Sequence, residues 1–98
     1  MGWWVNRGSD QSEANAYNEI GMGTVDNSTK TFLANTLNSI TIIVISGTVN
    51  VSNGVENVDL VEGSTVTFTA TEVISNSIAI DATGSGNKAV YATIKGGA

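Results

Sequence analysis

From residue 29 onward, apolar residues recur at every second position, the period of a half-buried β-strand. Residues 29–33 predict a first strand. Residues 39–46 predict a strong one, and its centre, Ile42-Ile43-Val44-Ile45, is apolar on both faces, as in a strand enclosed within a sheet. Residues 48–52 alternate, and Asn53-Gly54 then supplies the pair that a two-residue type I′ hairpin needs, because both turn positions require positive φ. Residues 55–61 return with Val55 out of phase with Val58 and Leu60, which predicts a bulge. Residues 65–71 set Val66, Phe68 and Ala70 inward and four threonines outward, residues 77–83 set Ile78, Ile80 and Ala82 inward, and residues 88–94 set Val90, Ala92 and Ile94 inward. The expected core is Ile40, Ile42, Val44, Val49, Val51, Val58, Leu60, Val66, Phe68, Ile78, Ile80, Val90 and Ile94.

Six or seven short strands with a turn every eight to twelve residues predict an all-β fold: a small antiparallel β-sandwich or partly open barrel. Residues 1–28 differ. They are polar and glycine-containing, with isolated apolar residues and room for a helical turn or two at residues 12–20, ended by Gly21-Met22-Gly23. The expected organisation is therefore an extended N-terminal arm over residues 1–28, or a partly disordered terminus, followed by a β-sandwich domain over residues 29–98.

Composition narrows the chemistry. The 98 residues include no His and no Cys. The usual neutral-pH base, the thiolate nucleophile and the common zinc ligands are thereby all missing. The nine acids do not read as a facing carboxylate pair, and Glu56, Asp59 and Glu62 lack the spacing of a calcium loop. Gly84-Ser85-Gly86-Asn87-Lys88-Ala89 fits a glycine-rich nucleotide fingerprint only superficially, since a strand follows where a helix is needed. We therefore expect no catalytic residue, no metal site and no cofactor.

Formal net charge is −5, and the four cations, Arg7, Lys30, Lys88 and Lys95, are scattered. That argues against nucleic acid and anionic membranes as partners, and no apolar run is long enough to span a bilayer. Only 13% of residues are charged, so Ser, Thr and Asn supply the polar surface. The chain opens without a basic-then-apolar leader, so synthesis in a cytoplasm is expected.

Trp3 and Trp4 stand out in a polar segment. Neighbouring residues on an extended chain point to opposite sides, and two solvent-facing Trp would be costly. They either cap the domain's own core or anchor in a neighbouring protein, as Trp does at interface hot spots. Trp3, Trp4, Tyr17 and Ile20 are the candidate partner-binding residues.

Val58-Asp59-Leu60-Val61-Glu62-Gly63-Ser64-Thr65-Val66-Thr67-Phe68-Thr69-Ala70 resembles strand–turn–strand segments of bacterial and phage immunoglobulin-like modules. Val73-Ile74-Ser75-Asn76-Ser77-Ile78-Ala79-Ile80-Asp81-Ala82-Thr83-Gly84 is similar to segments of small virion proteins of tailed phages. The resemblance implies a non-enzymatic structural protein that decorates or cements a phage capsid. It would be made in the host cytoplasm and found on the capsid surface. It would bind the major capsid protein or another virion protein as a small homo-oligomer, with a trimer favoured. The alternatives are a carbohydrate- or receptor-binding β-sandwich of a tail fibre or bacterial surface protein, and a tail or neck component. No functional residue is carried over.

Overall fold

A computed structural model of the protein describes residues 19–95. These residues form eight strands: β1 (Glu19–Asp26), β2 (Thr29–Phe32), β3 (Ser39–Ser46), β4 (Thr48–Ser52), β5 (Asn57–Val61), β6 (Thr65–Thr69), β7 (Ile78–Asp81) and β8 (Lys88–Lys95). They make two four-stranded antiparallel sheets, ordered β1-β8-β3-β6 and β2-β7-β4-β5. Only β4 and β5 are joined as neighbours in one sheet. Every other connection carries the chain across to the opposite sheet. This is the eight-stranded jelly-roll arrangement, in which paired strands wind as a double-stranded β-helix. The expected all-β sandwich is the observed fold.

The core lies between the sheets. Ile40, Ile42 and Val44 of β3 meet Val49 and Val51 of β4 and Ile78 and Ile80 of β7, all fully buried. Val25, Leu37, Ala82 and Ala89 complete the cluster. β-Branched side chains dominate because they fit a pleated surface packed against a second sheet.

Four sequence expectations need correction. First, β1 lies inside the span assigned to the arm, so residues 19–26 are part of the sandwich and Val25 is in its core. Its alternation is hidden because the inward positions are Gly21 and Gly23. A Cβ on Gly23 would collide with the Tyr91 ring, and one on Gly21 would lie 2.7 Å from Thr93 Oγ1. Second, β8 has the opposite phase. Ala89, Tyr91 and Thr93 face inward, while Val90, Ala92 and Ile94 face out. The Tyr91 ring fills the space above Gly23 and packs edge-on against Phe32, with centroids 4.9 Å apart, so Tyr91 is not the outward aromatic that a sugar platform would use.

Third, the Asn53-Gly54 turn is not type I′, since Gly54 has positive φ and Asn53 does not. The loop spans residues 53–56. Asn53 Oδ1 accepts hydrogen bonds from the amides of Val55 (2.9 Å) and Glu56 (2.8 Å), an Asx turn that stabilises the longer connection. Val55 sits in this loop, which explains its phase, and β4–β5 pairing is regular. The register shift falls between β3 and β8 instead, at Val44/Ser46. Fourth, Val58 points inward but is 48% exposed, because β5 is an edge strand at an open corner of the sandwich.

Candidate functional site

Three surfaces could carry function. At one corner, where β5 and β6 are the outer strands of their sheets, a cavity of about 190 Å³ opens between Val51, Asn53, Glu56, Asn57, Val58, Val66 and Phe68. Its walls are aliphatic and aromatic. Its amides are largely engaged locally: Asn53 closes the adjoining loop, and Asn57 Oδ1 accepts from Asn50 Nδ2 at 3.0 Å. Glu56 is the single carboxylate in the lining. A small apolar group could enter, and among the described residues Glu56 is the one ionisable group beside it.

The outer face of the β2-β7-β4-β5 sheet is polar. Register sets Thr29, Asp81, Asn50 and Asp59 in one row across the four strands. Asp81 Oδ1 accepts from Thr29 Oγ1 (3.1 Å) and from the Thr83 amide (3.0 Å). The hydrogen bonds from the Thr83 side chain, the Thr83 amide and Thr29 hold its carboxyl below the ordinary value of 3.8. Asn50 Nδ2 also donates to Asp59 Oδ1 at 2.9 Å and so separates the two acids. Among the described residues, no three of His, Cys, Asp and Glu cluster as metal ligands would.

The glycine-rich stretch after β7 is a plain loop joining β7 to β8. Asn87 organises it by donating to the Thr83 carbonyl (2.9 Å) and accepting from the Thr48 amide (3.0 Å). The Gly84 amide donates to Asn27 Oδ1 at 2.8 Å. Those groups are turned toward the loop's own neighbours instead of toward a phosphate.

The outer face of the β1-β8-β3-β6 sheet is different. Register places Ile20 beside Ile94, Met22 beside Ala92, and Thr24 beside Val90 and then Ile43. With Ile45 these residues make an apolar surface over three adjoining strands. Ile20, Met22, Ile43, Ile45 and Ile94 are 40–79% exposed. On β6 the face ends in Thr65, Thr67 and Thr69, with the Thr67 and Thr41 hydroxyls 3.2 Å apart. The sequence expectation of a strand enclosed on both sides thus meets a β3 that is covered on one side only.

Of the sequence candidates, Ile20 falls on this apolar face. Trp3, Trp4 and Tyr17 lie outside the described residues. Met22, Ile43, Ile45 and Ile94 were missed as site residues. The signal that could have found Ile43, Ile45 and Ile94 is the doubly apolar run in β3 together with the second set in β8, Ala89, Tyr91 and Thr93, which can take the inward side and leave Ile94 outward.

No family model and no curated protein matches the chain. Among solved structures, it is similar to a de novo designed double-stranded β-helix, with TM-score 0.58 and 11% identity over 80% of this chain and 100% of that one. It is also similar to a putative ethanolamine utilization protein Q of Salmonella typhimurium, with TM-score 0.52 and 18% identity over 79% of this chain and 57% of that one. The EutQ protein of Clostridium difficile gives TM-score 0.51 and 19% identity, over 78% and 55%. The chain thus spans a little over half the length of the two EutQ proteins. At these identities, the shared property is the double-stranded β-helix fold.

Proposed function

We propose that this protein is a non-enzymatic structural module that assembles with other proteins through the outer face of its β1-β8-β3-β6 sheet. The observation that carries the reading is the apolar surface of Ile20, Met22, Ile43, Ile45 and Ile94 on a sheet whose other side already forms the core. Burying such a surface against a partner is favourable in proportion to its area, and clustered apolar patches mark interaction sites. The polar opposite sheet would stay in water, so the module has one face for the assembly and one for the solvent.

The form of assembly most consistent with the sequence resemblance is decoration of a phage capsid. The partner would be the major capsid protein or another virion protein, and a small homo-oligomer would sit on the shell. The jelly roll is a frequent capsid architecture, which agrees with this reading without selecting it. Trp3, Trp4 and Tyr17 would supply further anchors on the neighbouring subunit. A sugar-binding reading needs an exposed aromatic platform. Among the described residues, Phe32, Phe68 and Tyr91 are instead partly buried against the core.

The test uses Met22→Glu and Ile43→Glu, each a charge placed on the apolar face. Shells assembled from the capsid protein with which it is produced are sedimented with wild type and with each variant. Wild type is expected in the pellet, and both variants in the supernatant with unchanged far-ultraviolet circular dichroism. Pelleting of folded variants at wild-type occupancy would remove this face from the interface.

A further inference from the structure

We propose that β6 is a dimerisation edge: it pairs antiparallel with β6 of a second copy of this chain, about a two-fold axis at Thr67, and joins the two β1-β8-β3-β6 sheets into one sheet of eight strands. The pairing uses the edge of the sheet and not its outer face, so it goes beyond the assembly reading and does not depend on it.

The first argument is the open hydrogen-bonding capacity of this edge. β6 pairs with β3 alone. The Val44 amide donates to the Ser64 carbonyl (2.9 Å), and the Ala70 amide donates to the Asn38 carbonyl (3.0 Å). Along a strand, backbone groups point alternately to one neighbour and to the other. Val66 and Phe68 therefore bond to β3, while Thr65, Thr67 and Thr69 turn their N–H and C=O groups away from it. Among the described residues, these outward groups form no hydrogen bond. An unpaired row of this kind is a template for another strand.

The second argument is the chemistry of the edges. β1 carries Glu19 and Asp26, β2 carries Lys30, and β5 carries Asp59 at its centre. Charged residues blunt an edge, and self-pairing of β5 would set Asp59 against its counterpart. β6 reads Thr-Val-Thr-Phe-Thr, without a charge or a Pro, and its pairing with β3 is regular. All of these residues favour strands. The nearest acids, Glu62 and Glu72, lie three positions beyond either end.

The third argument is self-complementarity, which a two-fold contact requires. Centred on Thr67, the pairing sets Thr67 against its counterpart, Thr65 against Thr69 and Val66 against Phe68. Thr then meets Thr on the outer face and Val meets Phe on the inner one, and cross-strand pairs of this kind stabilise a sheet. The three threonine pairs exchange about six backbone hydrogen bonds. Val66 and Phe68 are half-buried and line the open corner cavity, so the added strand extends an apolar wall where the sheet now ends. A two-fold axis normal to the sheet leaves the apolar outer faces of both copies on the same side, as one bivalent surface.

The contact is short, so the expected association is weak, with a dissociation constant between the micromolar and millimolar ranges. Sedimentation equilibrium of the full chain, without shells, is run over a hundredfold range of concentration up to about 1 mM. The expected result is a monomer–dimer equilibrium, with amide exchange of Thr65, Thr67 and Thr69 slowing as the dimer forms. Thr67→Lys and Thr67→Glu each oppose like charges on the two-fold axis and should be monomeric, whereas an equimolar mixture of the two should dimerise. Thr67 is exposed on an edge strand, and circular dichroism checks that both variants are folded. The exchange measurement tests the edge in the wild-type chain even if they are not. The proposal is overturned by a monomer throughout, by a closed trimer, or by exchange at the three threonines that ignores concentration. Folded variants that dimerise like wild type, or a mixture of folded variants that stays monomeric, overturn it too. Loss of the dimer in Met22→Glu with its retention in Thr67→Lys would assign the contact to the outer face instead. No shell is present, so failure here is separate from failure of the assembly reading.

Discussion

Gly23→Ala adds a single methyl group, yet it tests the packing that defines the β1 end of the sandwich. In β1 the inward position at Gly23 is roofed by the Tyr91 ring, and an added Cβ would lie 2.5 Å from Tyr91 Cζ and in collision with the hydroxyl oxygen. The ring has little freedom to withdraw, because it is packed edge-on against Phe32 on the facing sheet. Overpacking of this kind costs about 1–3 kcal/mol. Replacing Gly by Ala in a strand returns about 0.5–1 kcal/mol through reduced backbone freedom in the unfolded chain. The expected net effect is a loss of about 1–2 kcal/mol, which in a domain of this size lowers Tm by about 4–8 °C per kcal/mol. Urea titration followed by circular dichroism should show a lower midpoint at unchanged slope. In a Tyr91→Ala background the roof is gone, and Gly23→Ala should become neutral or stabilising by up to about 1 kcal/mol, so the double-mutant cycle isolates the contact. A neutral or stabilising Gly23→Ala in the wild-type background would refute this account of β1.

Three further outcomes follow from the same structure. Ile80→Ala, at a fully buried site, should cost about 2–5 kcal/mol in denaturant titration. Phe68→Ala should cost less, at the low end of or below the about 3–5 kcal/mol typical of a buried Phe, because Phe68 is half-buried on edge strand β6 and lines open cavities; equal losses would contradict the open corner. The depressed Asp81 carboxyl stabilises the fold at pH values above its ordinary 3.8, and that stabilisation is lost as pH falls through the lower folded value. Asp81→Asn should therefore be less stable than wild type near neutrality, and the gap should close on acidification below about pH 3.8; a gap that widens with acid would reverse the sign of the argument.

Much of this fold is legible in the chain itself. Residues 48–52, 65–71 and 77–83 alternate because each strand has one face on a core and one in water, residues 39–46 are marked by their apolar run, and period two is a local property of an extended backbone. The all-β class, the strand positions after residue 28 and the buried set Ile40, Ile42, Val44, Val49, Val51, Ile78 and Ile80 follow from that pattern. The absence of His and Cys also limits the chemistry before any coordinate is known.

What the chain could not decide alone are the choices between two equally good faces and between partners distant in sequence. In β8, Val90, Ala92 and Ile94 compete with Ala89, Tyr91 and Thr93 for the inward side, and local hydrophobicity favours the wrong set. The tertiary fold selects the other because Tyr91 fills the volume left by Gly23 and meets Phe32 across the sandwich, while Thr93 lies against Gly21. β1 is hidden for the complementary reason, since two of its three inward positions, Gly21 and Gly23, carry no side chain and only Val25 marks that face. Sheet order is likewise non-local: only β4–β5 is a hairpin, and the pairing of β1 with β8 joins the two ends of the described chain. The candidate site depends on all three of these outcomes. Once β8 turns Val90, Ala92 and Ile94 outward beside Ile20 and Met22 of β1, the second apolar face of β3 becomes part of one exposed surface, and burial elsewhere in the domain can no longer account for it.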